Sequence, residues 1–248
     1  MINAIFEHVS VRKYKSDNIP DEVLTKILEA AARAANTGNM QVYSIVVTTD
    51  QKIKEELMPC HFNQAMVKQA PVVLTFCADF NRFNKWCSLR NADAGAYDNF
   101  LSFLTAAIDA VIAAQNSCLE AEAHGLGTCY LGTTIYTANK IIDVLKLPKG
   151  VVPITTLVIG YADENPELTD RLPLRAIVHK ETYQDFSDEE INKVYLEKEN
   201  RSDSKQFVAE NNKENLAQVF TDIRYPRKNN IMFSEILLEV LKQQGFIE

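Results

Sequence analysis

The alternating residues His8, Ser10 and Arg12, in the run Glu7-His8-Val9-Ser10-Val11-Arg12-Lys13-Tyr14, put an imidazole, a hydroxyl and a guanidinium on one short stretch. On an extended backbone alternate side chains project to the same side, so the three would converge on one anion. A phosphate suits them, because guanidinium is a planar fork of donors matched to phosphate oxygens. A solvated charged turn ahead of a helix has the same composition, and the segment alone does not choose between the two.

Other familiar chemistries find no support. Gly125-Leu126-Gly127-Thr128-Cys129-Tyr130 starts like a dinucleotide fingerprint but has Tyr130 where the third glycine belongs, and there is no G-x-x-x-x-G-K-[ST] loop. Four histidines (His8, His61, His124, His179) are scattered without metal-ligand spacing, so no metal is expected. No G-x-S-x-G elbow is present.

These residues must be positioned by a chain of 248 residues that is 46% hydrophobic, enough for one substantial core. A single domain is expected, with a polar excursion or lid at about 187–230. The net charge of −7 argues against a nucleic-acid surface and leaves small molecules or protein as partners. Five cysteines without a C-x-x-C pair read as reduced thiols, and the N-terminus has no signal-like run, so a cytoplasmic protein is expected. The stretch Phe103 to Ala123 is interrupted by Asp109, Gln115, Asn116 and Glu120, which suits a helix buried in protein better than one in a membrane.

Helical periodicity starts at Pro20-Asp21-Glu22 and should end near Ala35. Strands are expected at Tyr43–Thr49, Val72–Ala78, Thr128–Leu131 and Val152–Gly160, with helices from Lys52 to Met58 and from Ala138 to Leu145. A long helix from about Asn99 to His124, capped by Gly125, is apolar nearly all round and should be buried on most sides. Beyond Ser187, whose Ser187-Asp188-Glu189-Glu190 is a capping box, Glu197 to Asn215 reads as a charged arm outside the core. A last helix, about Ile231 to Gln244, carries Met232, Ile236, Leu237, Val240 and Leu241 on one face. Strands alternating with helices imply an α/β or α+β class.

Five ordered blocks then carry a resemblance over almost the whole chain: His8 to Tyr14, Thr37-Gly38-Asn39-Met40-Gln41, Phe76 to Arg82, Gly125-Leu126-Gly127 with Tyr130 and Gly132, and Asn165-Pro166-Glu167-Leu168 with Arg171-Leu172-Pro173. Their order resembles the nitroreductase family of FMN enzymes, within it the NADPH-dependent group. The resemblance implies an α+β sandwich, a mainly antiparallel sheet flanked by helices, assembled as an intertwined homodimer with FMN at the interface. It assigns His8, Ser10, Arg12 and Arg171 to the FMN phosphate and ribityl chain. Thr37, Asn39 and Gln41 would contact flavin from the partner subunit; Gln64 would lie near the ring edge, and Tyr130, Gly132 and Thr133 beside the ring. The plain readings are a helix-ending turn for the first three, a surface residue for Gln64 and a strand end for the last three.

The implied activity is reduction of FMN by NADPH or NADH, then of nitroaromatic, quinone or flavin acceptors in a ping-pong cycle, with no catalytic side chain required. Two departures remove a cation from the family pattern, Val9 where the group often has Arg and Thr169 where it often has Lys. They motivate the alternative of a flavin-binding redox sensor or carrier with little turnover. For the pyridine nucleotide, Lys198 matches the family's cationic loop and Arg201 is a nearby substitute.

Overall fold

The strand Val72–Asp79 has every residue buried, and that single fact sets the layering. The computed structural model describes residues 3–248. In chain order its elements are helices α1 (Asn3–Glu7) and α2 (Asp21–Ala32), strand β1 (Tyr43–Thr48), α3 (Gln51–Leu57), α4 (Met66–Gln69), β2 (Val72–Asp79), α5 (Asn81–Leu89), α6 (Phe100–Ala123), β3 (Gly127–Leu131), α7 (Ala138–Leu145) and β4 (Val151–Gly160). After these come α8 (Asp188–Asn200), α9 (Ser202–Glu210), α10 (Leu216–Gln218) and α11 (Arg227–Gln244).

The four strands form one sheet in the order β1-β2-β4-β3, every pair antiparallel. Side chains alternate across a strand. Leu74 and Phe76 of β2 and Leu157 and Ile159 of β4 therefore pack with Ile27 and Ala31 of α2 and the alanines of α6. Val73 and Val158 point the other way, into a cluster with Leu57, Val67, Leu131 and Ile141. A sheet covered on both faces needs an apolar central strand, which is why β2 has no polar alternation. Pro153 is tolerated in the inner strand β4 because the register shifts at Phe76/Cys77, opposite it, where a ladder bond is already disrupted.

The chain clusters into two compact units, one running to Glu167 and including Phe233–Glu248, the other Leu168–Met232. In the second, Ser187 caps α8 through the expected capping box, and Val194, Leu216 and Val219 are buried. Helices α8 and α9 make up most of the polar stretch.

Three expectations change on contact with the structure. Helix α2 stops at Ala32, short of Ala35, and Asn36 is already extended. Helix α11 begins four residues earlier than expected, just after Pro226, and on its apolar face only Val240 and Leu241 are buried while Met232 is exposed. Helix α6 finds cover from its own chain along one side only. Its small residues Ala106, Ala110, Ala113, Ser117 and Ala121 are buried, whereas Leu101, Leu104, Ile108 and Val111 are 72%, 42%, 52% and 48% exposed. By length and composition α6 could cross a membrane, but it packs against α2, β2 and β4 of its own unit.

Candidate functional site

The segment after α1 runs beside β3. Val11 N–H donates to Thr128 O at 2.8 Å and Ser10 forms a parallel bridge with Thr128. Val11 is buried here, and it can be because Gly127 lacks a side chain: a Cβ at Gly127 would stand 2.7 Å from Val11 Cγ2. The other edge is held past the end of β4. Glu164 Oε1 accepts from the backbone N–H groups of Arg12 (2.5 Å) and Lys13 (3.1 Å), and Asp163 N–H donates to Lys13 O at 2.9 Å. Val11 and Tyr14 are buried while Arg12 and Lys13 between them are exposed, so burial along the segment does not follow strict alternation.

Main-chain contacts therefore fix this segment and leave its side chains to do chemistry. The Arg12 guanidinium has a weak intrasegment bond to Ser10 O at 3.4 Å and, among the described residues, no carboxylate partner. His8 Nδ1 lies 2.6 Å from Glu122 Oε1 on α6. Glu122 Oε1 also accepts from Thr128 Oγ1 at 2.7 Å. His8, Cys118 and Glu122 place one ligand atom each within 4.8 Å of one another. A metal there would need the Cys118 thiolate, and burial pushes that thiol up to about 12.

Farther along β3, Tyr130 donates from its hydroxyl to Gln115 at 3.4 Å, and burial raises its phenol far above the usual range. Gly132 follows the strand, and a Cβ there would meet nothing within 4 Å, so space opens where the strand ends. Thr133 and Gln64 come together through a residue that sequence reasoning considered only as a metal ligand. His61, fully buried, has Nδ1 2.8 Å from Thr133 Oγ1, while its carbonyl accepts from Gln64 Nε2 at 3.0 Å. Its Nε2 is buried with no partner, and burial lowers its pKa from 6.5 to about 4, so the ring is neutral near pH 7.

Thr37, Asn39 and Gln41 lie in the turn between α2 and β1. Asp109 of α6 accepts from the Thr37 N–H (3.0 Å) and hydroxyl (3.2 Å). Burial raises the Asp109 carboxyl, and the two bonds from Thr37 partly offset that. Asn39 and Gln41 have positive φ, Gln41 Nε2 donates to Asn39 Oδ1 at 3.2 Å, and Arg82 donates to Gln41 O. Among the described residues no hydrogen bond or ion pair joins this turn to His8, Ser10 or Arg12.

The three remaining cations lie in the second unit. Arg171 donates to Thr169 Oγ1 at 2.7 Å and to Asp170 O at 2.9 Å. Lys198 pairs with Asp170 at 2.9 Å, and Arg201 makes a two-pronged pair with Asp203 at 3.0 and 2.9 Å. A ligand phosphate would have to compete with carboxylates for Lys198 and Arg201.

Against known proteins, the profile of the nitroreductase family matches residues 5–161. The NADPH-flavin oxidoreductase of Vibrio harveyi is 35% identical over 190 residues, 77% of each chain. The oxygen-insensitive NADPH nitroreductase of Salmonella typhimurium is 32% identical over 202 residues, 79% of this chain and 82% of that one. A solved Bacteroides fragilis structure assigned as an oxidoreductase superposes with TM-score 0.97 at 51% identity, over 99% of this chain and 100% of its own.

Proposed function

The chain belongs to the nitroreductase family, and from that premise we propose that it is an FMN-dependent oxidoreductase driven by NADPH or NADH. The supporting observation is the segment His8 to Arg12: its Val11 and Arg12 N–H groups are satisfied by Thr128 and Glu164, and among the described residues the Arg12 guanidinium has no acidic partner. A cation held in place and left unneutralised suits an anionic ligand. Open space at Gly132 beside β3 suits a flat one. The residues present therefore fit FMN.

In this reading His8, Ser10 and Arg12 hold the phosphate and ribityl chain, and each charge-assisted bond contributes about 1.5–3 kcal/mol. Gln64, Tyr130, Gly132 and Thr133 line the ring. FMN, when bound, would supply two-electron redox chemistry linking a nicotinamide donor to a nitroaromatic, quinone or flavin acceptor. The protein's task is placement. Neutral His61 holds Thr133 and Gln64 at fixed separation without adding charge beside the ring. Burial raises the thiols of Cys60, Cys77, Cys118 and Cys129, which keeps them protonated and out of the chemistry.

The working unit is a cytoplasmic homodimer with Thr37, Asn39 and Gln41 supplied from the partner subunit. The exposed apolar stripe of α6 supports it, because Leu101, Leu104, Ile108 and Val111 recur at helical spacing and Asp109, beside Ile108, anchors Thr37. Lys198 and Arg201 are the cations offered to the nucleotide, exchanging their carboxylate partners for its phosphates.

The test is anaerobic mixing of the purified, FMN-loaded protein with NADPH and, separately, NADH. Bleaching of the flavin band followed by reoxidation with a quinone or nitroaromatic is expected. A band that neither nucleotide bleaches would leave a flavin carrier, and protein that takes up no FMN would end the proposal.

A further inference from the structure

Glu122, in the last turn of α6, gathers donors from three places at a single carboxylate oxygen. His8 Nδ1 stands 2.6 Å from Oε1, the Thr128 hydroxyl donates to it at 2.7 Å, and the Cys118 thiol at 3.6 Å. Its second oxygen, Oε2, is buried without a partner. His8 and Glu122 are 114 residues apart, so the contact exists only in the folded chain. Among the described residues His8 Nε2 makes no hydrogen bond, and its side chain is 27% exposed.

We propose that Glu122 is a positioning residue for His8, holding the Nδ1 proton so that the ring can meet a phosphate oxygen only as a doubly protonated, positively charged donor. This rests on the reading of His8 as an FMN phosphate residue. A neutral imidazole has one N–H and the imidazolium has two. With Nδ1–H engaged by a carboxylate, a donor at Nε2 requires the second proton. Phosphate binding is thereby coupled to proton uptake at His8, and the segment gains a positive charge where Val9 supplies none. The last turn of α6 adds the negative end of a helix dipole, which favours a cation at the same spot.

The titratable groups against the ring are Glu122 and Cys118, both from α6. Burial keeps Cys118 protonated through the neutral range. Among the described residues Glu122 is the anion in hydrogen-bond contact with the ring. Thr128 sets the direction of its carboxylate.

Dissociation constants for FMN and for riboflavin, read by flavin fluorescence on the full chain, isolate the phosphate, since riboflavin lacks it. The phosphate's own titration near pH 6 is common to all variants and cancels between them. The FMN preference of the unaltered protein, taken relative to that of His8→Gln, should weaken as pH rises and the second ring proton is withdrawn. Glu122→Gln keeps an acceptor for Nδ1–H but removes the charge, and should move that weakening to lower pH, with a several-fold loss of preference at the intermediate pH. Thr128→Val keeps the charge and loosens its aim, giving a smaller shift of the same sign. It also serves as the deciding variant if Glu122→Gln does not fold. His8→Gln should lower the FMN preference and abolish the pH step. If His8→Gln loses the preference but Glu122→Gln and Thr128→Val retain the original pH profile, the positioning role is overturned while the phosphate reading stands. If His8→Gln keeps the full preference, His8 does not bind the phosphate and both fall.

Discussion

Asp109, buried in α6, accepts hydrogen bonds from both the backbone N–H and the hydroxyl of Thr37, 72 residues away. The turn that carries Thr37, Asn39 and Gln41 is thus tied to the helix that also presents the exposed apolar stripe. Removing the carboxylate strands two donors. Asp109→Ala should cost about 1–3 kcal/mol in urea unfolding and reduce flavin retained through gel filtration. Asp109→Asn keeps one acceptor oxygen and sheds a buried charge, so it should cost less. An Ala variant with unchanged flavin content would disconnect the turn from the cofactor.

Gly127 and Val11 form a second dependence, steric in kind. A methyl group at Gly127 would press on Val11 from 2.7 Å and push the His8–Arg12 segment off β3. Gly127→Ala should therefore lower stability by about 1–3 kcal/mol and weaken FMN binding. Adding Val11→Gly removes the obstructing Cβ together with both methyls, and the double variant should recover much of the FMN affinity relative to Gly127→Ala alone. Additive losses in the double variant, by titration and thermal unfolding, would show that the clash is not the cause.

The outward stripe of α6 leads to a third expectation. Ile108→Glu places a charge among Leu104, Val111 and Leu101, where a dimer interface would have to desolvate it. Sedimentation velocity should show a monomer with diminished FMN content, while the exposed site lets the subunit itself fold. A variant still dimeric at micromolar concentration would place the interface elsewhere.

How far these relationships could be read beforehand depends on their range along the chain. The bounds of β1, β2, β3, β4, α6 and α7 follow from local runs and caps, and the structure moves them by one residue or less. The same reading took α6 as covered nearly all round, because composition does not say which apolar side chains its own sheet will meet. The sheet meets the small ones. Arg201 and its partner Asp203 are two residues apart and visible as neighbours, whereas Lys198 finds Asp170 across 28 residues. Glu122 gave no signal at all: a glutamate near a helix end is ordinary until folding brings His8 to it.

His61 supplies the last expectation, a dependence on pH. Its ring is fully enclosed, its pKa is lowered to about 4 by burial, and the unfolded chain would titrate it near 6.5. Below 6.5 the unfolded state takes up a proton that the folded state refuses, so stability contributed by the neutral ring is complete above that pH and is lost as pH falls toward 4. The total is about 3 kcal/mol, accumulating at up to roughly 1.4 kcal/mol per pH unit. Because His61 carries both Thr133 and Gln64, flavin release should accompany the loss. His61→Gln removes the titrating group: it should begin less stable at pH 7, lacking the shape of the ring, yet lose less on acidification than the unaltered protein. Denaturant midpoints for both at pH 7 and near pH 4.5 measure that difference directly, and parallel pH dependences would assign the acid sensitivity to other groups.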